Sequence, residues 1–266
     1  MENVKDYTKL TDLSIPGTHD SGATHSIFDI AGKCQDLNIK QQLKVGTRFF
    51  DIRLKQENDK FKIVHGPADQ KLKFDKVLKE MVSFVKNNNS EFLLISLKEE
   101  SEGKNNNLSF ESALEETLKK YEDVISFSTK LPATIKDARG KIFIISRHDL
   151  SFGYPSYYFW QDDSSFTLGD LYIQDNYCIE DINEKIEDIK STIEISNQHS
   201  NDKLVLNFTS CYLENHFPPT YAGSTAKIIN PWLVEYLNEN NDDKLGIIIS
   251  DFMSERLAQS IYRRNY

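Results

Sequence analysis

Short apolar runs recur along the whole chain, and each is followed by a polar or charged side chain. Several runs are continuously apolar, which is typical of strands that are covered on both faces. Helical patterns separate many of the runs, in the alternating order that a parallel barrel requires. The sequence therefore predicts an α/β fold with a parallel barrel, whose strands span residues 13–15, 48–54, 61–64, 92–97, 141–146, 171–173, 204–208 and 246–250.

Hydrophobic periodicity predicts four helices between these strands. The clearest covers residues 74–86, where apolar residues recur three and four positions apart. Similar patterns predict helices over residues 109–121 and 182–195, and the isoleucine stripe of the latter predicts that its Glu and Lys side chains face water. Asn230 before Pro231 is typical of a helix cap and first turn, which predicts a helix over residues 231–238.

Length, charge and cysteine content narrow the class of protein. A chain of 266 residues suits one barrel domain, and a formal net charge of -9 gives no support for nucleic acid as a partner. No apolar run approaches the roughly 20 residues that span a bilayer, and the first ten residues lack the apolar core of a signal peptide. Three cysteines with neither metal-ligand spacing nor an even count predict free structural thiols.

Polar side chains at the ends of the predicted strands are the candidate functional residues. In a parallel barrel the carboxyl ends of the strands converge on one pocket, whatever their separation in sequence. Asp51 and Arg53 lie two apart on one strand and share a face, so we expect both to point inward and to pair with each other or with neighbouring residues. The full set is His19, Asp20, Asp51, Arg53, His65, Lys98, Arg147, Asp175, Tyr177, Asn207 and Asp251.

These residue types fit phosphoryl transfer without a metal. One histidine takes a proton from an attacking hydroxyl, the other gives a proton to the leaving oxygen, and arginine or lysine stabilises charge on the phosphorus oxygens. Each histidine needs a carboxylate on its second nitrogen, for which Asp20, Asp175 and Asp251 are candidates. His148 follows Arg147 directly, and strand alternation predicts that it points away from the pocket.

Eight segments together resemble a known family. Bacterial phosphatidylinositol-specific phospholipase C is similar in the order and approximate spacing of SIPGTHDSG (14–22), GTRFFDIR (46–53), VHGP (64–67), ISLKEE (95–100), DARGKIFIISR (137–147), QDNY (174–177), NFTS (207–210) and IISDF (248–252). The resemblance implies a single imperfect TIM-type (β/α)8 barrel domain over residues 1–266. It also implies a phosphodiester lyase that needs no metal or other cofactor and cleaves phosphatidylinositol to diacylglycerol and myo-inositol 1,2-cyclic phosphate.

The resemblance also implies a role for each catalytic residue. His19 is the general base for the inositol 2-hydroxyl, oriented by Asp251. His65 is the general acid for the diacylglycerol oxygen, assisted by Asp20. Arg53 contacts the phosphate, with Asp51 as its neighbour in the barrel.

Four further residues correspond to the inositol-binding groups of the family. Lys98, Arg147 and Asp175 bind the sugar hydroxyls, and the ring of Tyr177 stacks against the sugar face. The calcium-dependent relatives carry an asparagine after the first histidine and acidic ligands near the ion. Asp20 and Arg53 stand at those places here, so we do not expect a calcium enzyme.

The expected partner is phosphatidylinositol at a membrane surface, with glycosylphosphatidylinositol anchors as a further expected substrate. The rim stretches 25–30 and 210–226 lack the tryptophans of secreted members, so we expect transient contact through Ile27, Phe28, Leu213, Phe217 and Tyr221. The aromatic loop 151–170 is a second expected contact region, for substrate or surface. We expect a monomeric, extracellular protein, with the cytoplasm as the alternative location.

Two other functions compete with this interpretation. One is a metal-dependent barrel phosphodiesterase of the glycerophosphodiesterase or sphingomyelinase-D type, which holds its metal by acidic ligands. The other is a noncatalytic protein that binds inositol lipids without turnover, against which the presence of both His19 and His65 argues.

Overall fold

A curled sheet of mostly parallel strands forms the centre of the molecule. The computed structural model describes residues 1–25, 32–198, 202–215, 220–240 and 244–266. Its strands are β1 (Ser14–Thr18), β2 (Phe49–Glu57), β3 (Lys60–His65), β4 (Ala68–Lys73), β5 (Leu93–Glu99), β6 (Ile125–Ser126), β7 (Ile142–Arg147), β8 (Tyr154–Pro155), β9 (Ser165–Leu168), β10 (Leu171–Gln174), β11 (Cys178–Ile179), β12 (Leu204–Phe208), β13 (Tyr212–Leu213) and β14 (Gly246–Ser250).

The barrel is open along one side. Seven of the described strands form a continuous series of parallel neighbours, in the order β7-β5-β2-β1-β14-β12-β10. The short strands β6 and β8 pair with β7 at one end of this order, and β9 pairs antiparallel with β10 at the other. Between β8 and β9, the Tyr154 hydroxyl donates to the Leu168 carbonyl oxygen (3.3 Å) and accepts from the Asp170 N–H (2.7 Å). The predicted parallel barrel is confirmed in this incomplete form.

The prediction that residues 61–64 form a parallel barrel strand is wrong. This run lies in β3, which pairs antiparallel with β2, so that Leu54 faces Ile63. Only Asn58 and Asp59 separate the two strands, and both have positive φ (52° and 57°). Two such residues make a tight hairpin turn, whereas a parallel neighbour needs a crossover of a dozen residues or more. The hairpin carries the end of β3 back to the rim of the barrel.

Side-chain alternation along the strands separates the barrel interior from its outer layer. Successive residues of a strand point to opposite faces of the sheet. Phe49 belongs to the interior core, so Asp51 and Arg53 continue the inward face of β2. The other interior residues include Ile15, Leu94, Ile145, Ile173, Leu206 and Ile249, while the outward residues pack beneath the helices in two further clusters.

The helices are α1 (Ile39–Val45), α2 (Phe74–Asn87), α3 (Phe110–Lys119), α4 (Ile135–Ala138), α5 (Ile182–Asn197), α6 (Ala222–Glu239) and α7 (Glu255–Tyr262). Three predicted helices are confirmed to within two residues at either end. The fourth prediction is wrong at its start, because α6 begins at Ala222 and contains Pro231. Pro231 lies on the exposed face, where the carbonyl group that loses its N–H partner can be hydrated. None of the described helices is long and apolar enough to cross a membrane.

Candidate active site

A pocket of about 440 Å³ opens at the carboxyl ends of the barrel strands. Asp20 and Asp51 lie buried beside it, in contact with Arg53. Eight of the other nine predicted site residues line it: His19, Arg53, His65, Lys98, Arg147, Asp175, Tyr177 and Asp251. A larger cleft of about 1120 Å³ lies beside α6, but its described lining contains no histidine. The pocket of about 440 Å³ is therefore the candidate active site, because the acid–base groups meet there.

The first histidine–aspartate pair lies on two neighbouring strands. His19 follows β1 and Asp251 follows β14, and the two strands pair in parallel. His19 Nδ1 lies 2.8 Å from Asp251 Oδ1, and its Nε2 lies 2.7 Å from Arg53 Nη2. Because a guanidinium group only donates hydrogen bonds, Nε2 is the acceptor and Nδ1 carries the proton that binds Asp251. His19 therefore has the tautomer in which the free nitrogen faces the pocket.

Burial and the neighbouring carboxylates act on the pKa of His19 in opposite directions. Burial lowers the pKa of the imidazole, and so does the Arg53 cation. The charge and hydrogen bond of Asp251, together with the charge of Asp20, outweigh both effects, so the pKa of His19 lies above its usual value. A proton-accepting nitrogen backed by a carboxylate is the arrangement that general-base catalysis requires.

The chain turns sharply at three places beside the site residues. Gly66, directly after His65, has φ of 53°, which glycine adopts without steric cost. Asp20 (φ 43°) and Phe252 (φ 49°) adopt the same left-handed region without being glycine. Each such residue costs roughly 1–2 kcal/mol, and such strain tends to occur at functional sites. The Phe252 turn directly follows Asp251.

The second histidine–aspartate pair comes from the hairpin and the first strand. His65 Nε2 lies 3.5 Å from Asp20 Oδ2, and the histidine side chain is 31% exposed while the aspartate is 1% exposed. Burial raises the pKa of Asp20, although Arg53 and His65 oppose the rise. A buried carboxyl group beside an imidazole that reaches the pocket can share and supply a proton.

Arg53 lies at the centre of the site with 14% of its side chain exposed, and it is held by three carboxylates. Its Nε donates to Asp51 Oδ2 (3.1 Å), and its Nη1 lies 3.3 Å from both Asp20 Oδ2 and Glu100 Oε1. Burial alone would lower the pKa of Arg53, but the carboxylates raise it well above its usual value. Burial would raise the pKa of Asp51, yet Arg53 and Arg147 hold it well below its usual value. The guanidinium thus stays charged beside the His19 imidazole.

Glu100 is a site residue that sequence reasoning missed. Its Oε2 lies 2.8 Å from Lys98 Nζ, and its Oε1 lies 3.3 Å from Arg53 Nη1 and accepts the Gly66 N–H (3.2 Å). Glu100 therefore links Arg53 to Lys98 and to the turn after His65. Strand alternation places Glu100 on the same face as Lys98, and this signal could have identified it.

The opposite wall of the pocket contains a stacked cation and an aspartate. The Arg147 guanidinium lies 3.8 Å over the centre of the Trp160 ring, whose Nε1 donates to Asp175 Oδ2 (3.2 Å). The Tyr177 hydroxyl donates to Asp162 Oδ1 (2.8 Å) beside them. Trp160 comes from the aromatic loop expected to contact substrate or surface, but sequence reasoning did not assign it to the site. A planar ring with charged groups of both signs suits a polyhydroxylated ligand.

Two residues differ from their predicted orientation. Asn207 faces the outer layer, where its Nδ2 donates to the Ile189 carbonyl oxygen (3.0 Å) and its Oδ1 accepts from Gln174 (2.8 Å). Lys185 on α5 was predicted to face water but is fully buried. Its Nζ donates to Gln174 Oε1 (2.8 Å) and to the Asn176 carbonyl oxygen. Burial lowers the pKa of Lys185 to about 8. This lysine supports the turn that presents Asp175 and Tyr177.

His148 has the orientation that strand alternation predicts. Its Nδ1 lies 3.4 Å from Glu99 Oε2, and its ring packs against Phe110 with ring centres 4.4 Å apart. These partners lie outside the pocket lining.

The predicted rim residues are only partly described. Ile27, Phe28 and Phe217 lie outside the described residues. Leu213 is half-buried, and Tyr221 is 37% exposed and lines the pocket. A further exposed aromatic group lies in one 3-10 turn, directly before Trp160. It consists of Tyr157, Tyr158 and Phe159, which are 47%, 70% and 69% exposed.

The fold and the pocket define an α/β-barrel protein with two histidine–aspartate pairs around a buried arginine, a centre suited to phosphodiester chemistry. A family model described as "Phosphatidylinositol-specific phospholipase C, X domain" matches residues 10–148, just over half of the chain. The chain therefore belongs to the phosphatidylinositol-specific phospholipase C X-domain family.

Relatives and solved structures extend the similarity to the rest of the chain. A protein of Listeria monocytogenes named 1-phosphatidylinositol phosphodiesterase is 28% identical and covers 100% of this chain and 84% of its own length. A Staphylococcus aureus protein of the same name is 26% identical over 95% of this chain and 87% of its own. The solved structure of phosphatidylinositol-specific phospholipase C from Listeria monocytogenes has a TM-score of 0.81 at 26% identity and covers 100% of this chain and 97% of that one. A Staphylococcus aureus mutant structure has the same fold, with a TM-score of 0.84 at 22% identity over 97% and 96% of the two chains.

Proposed function

We propose that this protein cleaves phosphatidylinositol to diacylglycerol and myo-inositol 1,2-cyclic phosphate. Relatives named for phosphatidylinositol cleavage cover essentially the whole chain. The observation that carries the proposed mechanism is the contact of Arg53 with His19 on one side and with Asp20, the partner of His65, on the other. Two imidazoles thus flank one guanidinium, as in-line displacement at phosphorus requires.

In the first half of the reaction, His19 acts as the general base. The inositol 2-hydroxyl oxygen attacks phosphorus while its proton passes to His19 Nε2, and Asp251 stabilises the resulting imidazolium. In the free protein Arg53 Nη2 donates to that nitrogen. A bound phosphate competes for the guanidinium, because an anion is a stronger acceptor than a neutral imidazole. Phosphate binding therefore frees the base at the moment when it is needed.

In the second half, His65 protonates the leaving group. The bond between phosphorus and the diacylglycerol oxygen breaks, and that oxygen takes a proton from His65, assisted by the buried Asp20 carboxyl group. Arg53 stabilises the charge on the phosphorus oxygens throughout. Because the nucleophile belongs to the substrate itself, the step gains from proximity and the chain's own side chains supply the proton transfers.

The opposite wall of the pocket supplies the inositol contacts in this proposal. Lys98, Arg147 and Asp175 offer charged partners for the sugar hydroxyls, and Tyr177 offers an aromatic face. The same wall would bind the inositol of glycosylphosphatidylinositol anchors, which we propose as a further substrate.

We also propose transient contact with the membrane surface through the aromatic group Tyr157, Tyr158 and Phe159, together with the predicted rim residues. The group lies next to Trp160 and so flanks the pocket that receives the headgroup. Aromatic side chains suit the interface between lipid and water, whereas a net charge of -9 disfavours strong adsorption to anionic lipid.

We propose that the protein is a monomer, and light scattering during gel filtration is the test. We further propose that this single-domain protein acts outside the cell that makes it, which mass spectrometry of culture medium and cell extract tests.

The central experiment follows phosphorus NMR during incubation with phosphatidylinositol micelles, with and without chelator. We expect the signal of inositol 1,2-cyclic phosphate in both samples from the wild-type protein. His19→Ala and His65→Ala should each abolish the signal while circular dichroism shows an unchanged fold. Near-normal turnover by either variant would show that the acid–base assignment is wrong.

The same experiment separates the competing functions. A metal-dependent phosphodiesterase would lose its activity in excess chelator. A noncatalytic inositol-lipid binder would retain phosphatidylinositol in a sedimentation assay but release no cyclic product.

A further inference from the structure

One side chain in the pocket has no part in the proposed reaction. Cys34 is buried between the two histidine–aspartate pairs, and its Sγ lies 3.8 Å from His65 Nδ1. Backbone hydrogen bonds fix its position, because its N–H donates to the Ala23 carbonyl oxygen (2.8 Å) and its carbonyl oxygen accepts the Phe252 N–H (2.7 Å). The thiol is therefore held in the centre of the site.

Cys34, His65 and Asp20 together form a set of potential metal ligands. One sulfur, one imidazole nitrogen and one carboxylate oxygen from these residues lie within 4.8 Å of one another. Tetrahedral zinc, with bonds of about 2.3 Å to sulfur and about 2.0 Å to nitrogen, separates those two ligand atoms by roughly 3.5 Å. The observed 3.8 Å between Sγ and Nδ1 is close to that value. Asp20 Oδ2 lies 3.5 Å from the other ring nitrogen, Nε2, so an ion bound to Nδ1 and Sγ requires the carboxylate or the imidazole ring to reorient.

The Asp20 carboxylate provides a second observation in favour of a cation site. It is 1% exposed, yet neither of its oxygens has a hydrogen-bond partner among the described residues. A buried carboxylate that lacks donors is stabilised by a cation. Its ion pair with Arg53 does not prevent this, because the guanidinium keeps Asp51 (3.1 Å) and Glu100 (3.3 Å) as partners.

We propose that Cys34, His65 and Asp20 form an inhibitory site for a soft divalent cation, with Zn²⁺ as the best fit and water as the fourth ligand. Zinc binding converts the thiol to a zinc-bound thiolate and releases one proton to solvent. This inference rests on the proposed function, because the ion inhibits by occupying the two groups assigned to protonation of the leaving oxygen. Calcium and magnesium prefer oxygen ligands and should not inhibit.

The ligand set is tested first without any enzyme assay, using Co²⁺ as a spectroscopic substitute for zinc. Addition of cobalt chloride to the wild-type protein should produce a near-ultraviolet absorption from thiolate-to-metal charge transfer. Cys34→Ser should lack this band, and Cys178→Ser, which changes a cysteine outside the pocket lining, should keep it. Cys34→Ala serves as a second variant if the serine variant does not fold. A band that is absent from the wild type or that persists without Cys34 overturns the proposal.

The inhibition is tested by zinc chloride titration, with each variant compared with its own zinc-free rate. The zinc concentration for half-inhibition should rise about tenfold or more in Cys34→Ser and should be unchanged in Cys178→Ser, because the thiolate is the soft ligand of the set. Chelator should restore the activity of the wild-type protein. Equal inhibition of the wild type and Cys34→Ser would refute the site. Because the cobalt spectrum needs no turnover, inactivity of the metal-free protein would refute the proposed function alone.

Discussion

Replacement of the buried Lys185 by methionine should change how the free energy of unfolding depends on pH. Lysine has a pKa of 10.5 when it is exposed in the unfolded chain, whereas burial lowers the pKa of Lys185 to about 8 in the folded protein. Between these two pH values the unfolded chain binds a proton that the folded protein does not, so stability rises with pH. At about 1.4 kcal/mol per pH unit, the gain over the whole interval is about 3 kcal/mol.

The assay is urea unfolding of the wild type and Lys185→Met at several pH values from 7 to 10. Methionine cannot titrate, so the stability of the variant relative to the wild type should fall by about 2–3 kcal/mol across this range. Tyrosines also titrate there, but their contribution cancels in the comparison. Lys190→Met is the matched control, because Lys190 lies on the same helix and pairs with Glu187 at 2.7 Å while remaining one-third exposed. A pH-independent difference between wild type and Lys185→Met would refute the reasoning.

The same substitution should also weaken substrate binding. Lys185 donates to Gln174 Oε1 and to the Asn176 carbonyl oxygen, which lie on either side of Asp175. Without this donor the turn loosens, so KM for a short-chain, water-soluble phosphatidylinositol should rise several-fold more than kcat falls. A variant with unchanged KM would show that the lysine supports the fold without positioning the turn.

Three further substitutions test other parts of the structure. Asp251→Asn should lower kcat on the order of 10³–10⁴-fold and move the acidic limb of the pH–rate profile to lower pH. The reason is that His19 loses the carboxylate that raises the pKa of its imidazole. Tyr158→Ser with Phe159→Ser should reduce sedimentation with phosphatidylinositol-containing vesicles and leave turnover of the water-soluble substrate unchanged. Gly22→Ala should destabilise the fold by about 1–3 kcal/mol in urea unfolding, since the new Cβ would lie 2.5 Å from Ile63 Cγ2, and its cost should be smaller in an Ile63→Ala background, which lacks that methyl group.

Sequence reasoning predicted the inner strands and most of the polar residues that meet at the pocket, because both follow from side-chain alternation. A continuous apolar run identifies a strand that is buried on both faces, and the residues after it must lie at the barrel mouth. Arg53 could be assigned to the pocket in this way, since it continues the inward face of Phe49 on β2. Glu100 follows the same rule, and it was missed because charged residues on both sides of a strand end are also typical of a solvated face.

The remaining features depend on contacts between distant parts of the chain. The hydrophobicity of residues 61–64 does not distinguish a barrel strand from a hairpin strand, and only the two-residue turn at Asn58 and Asp59 decides it. Lys185 lies in a helix rich in Glu and Lys, a pattern that is typical of a solvated face. Polar acceptors beneath α5 nevertheless bind its ammonium group. The stacking of Trp160 on Arg147 joins a long loop to a strand end, and no local pattern encodes that contact.

The open side of the barrel divides the pocket into two mechanically different halves. His19, Arg53 and Asp251 stand on or directly after β1, β2 and β14, three adjacent strands in the middle of the sheet that backbone ladders hold in register. Arg147 and Asp175 come from β7 and β10, the two ends of the parallel order, which the Tyr154 hydroxyl joins across the opening. In the proposed mechanism, substitutions at the opening can therefore change headgroup selectivity while the geometry of proton transfer stays constant.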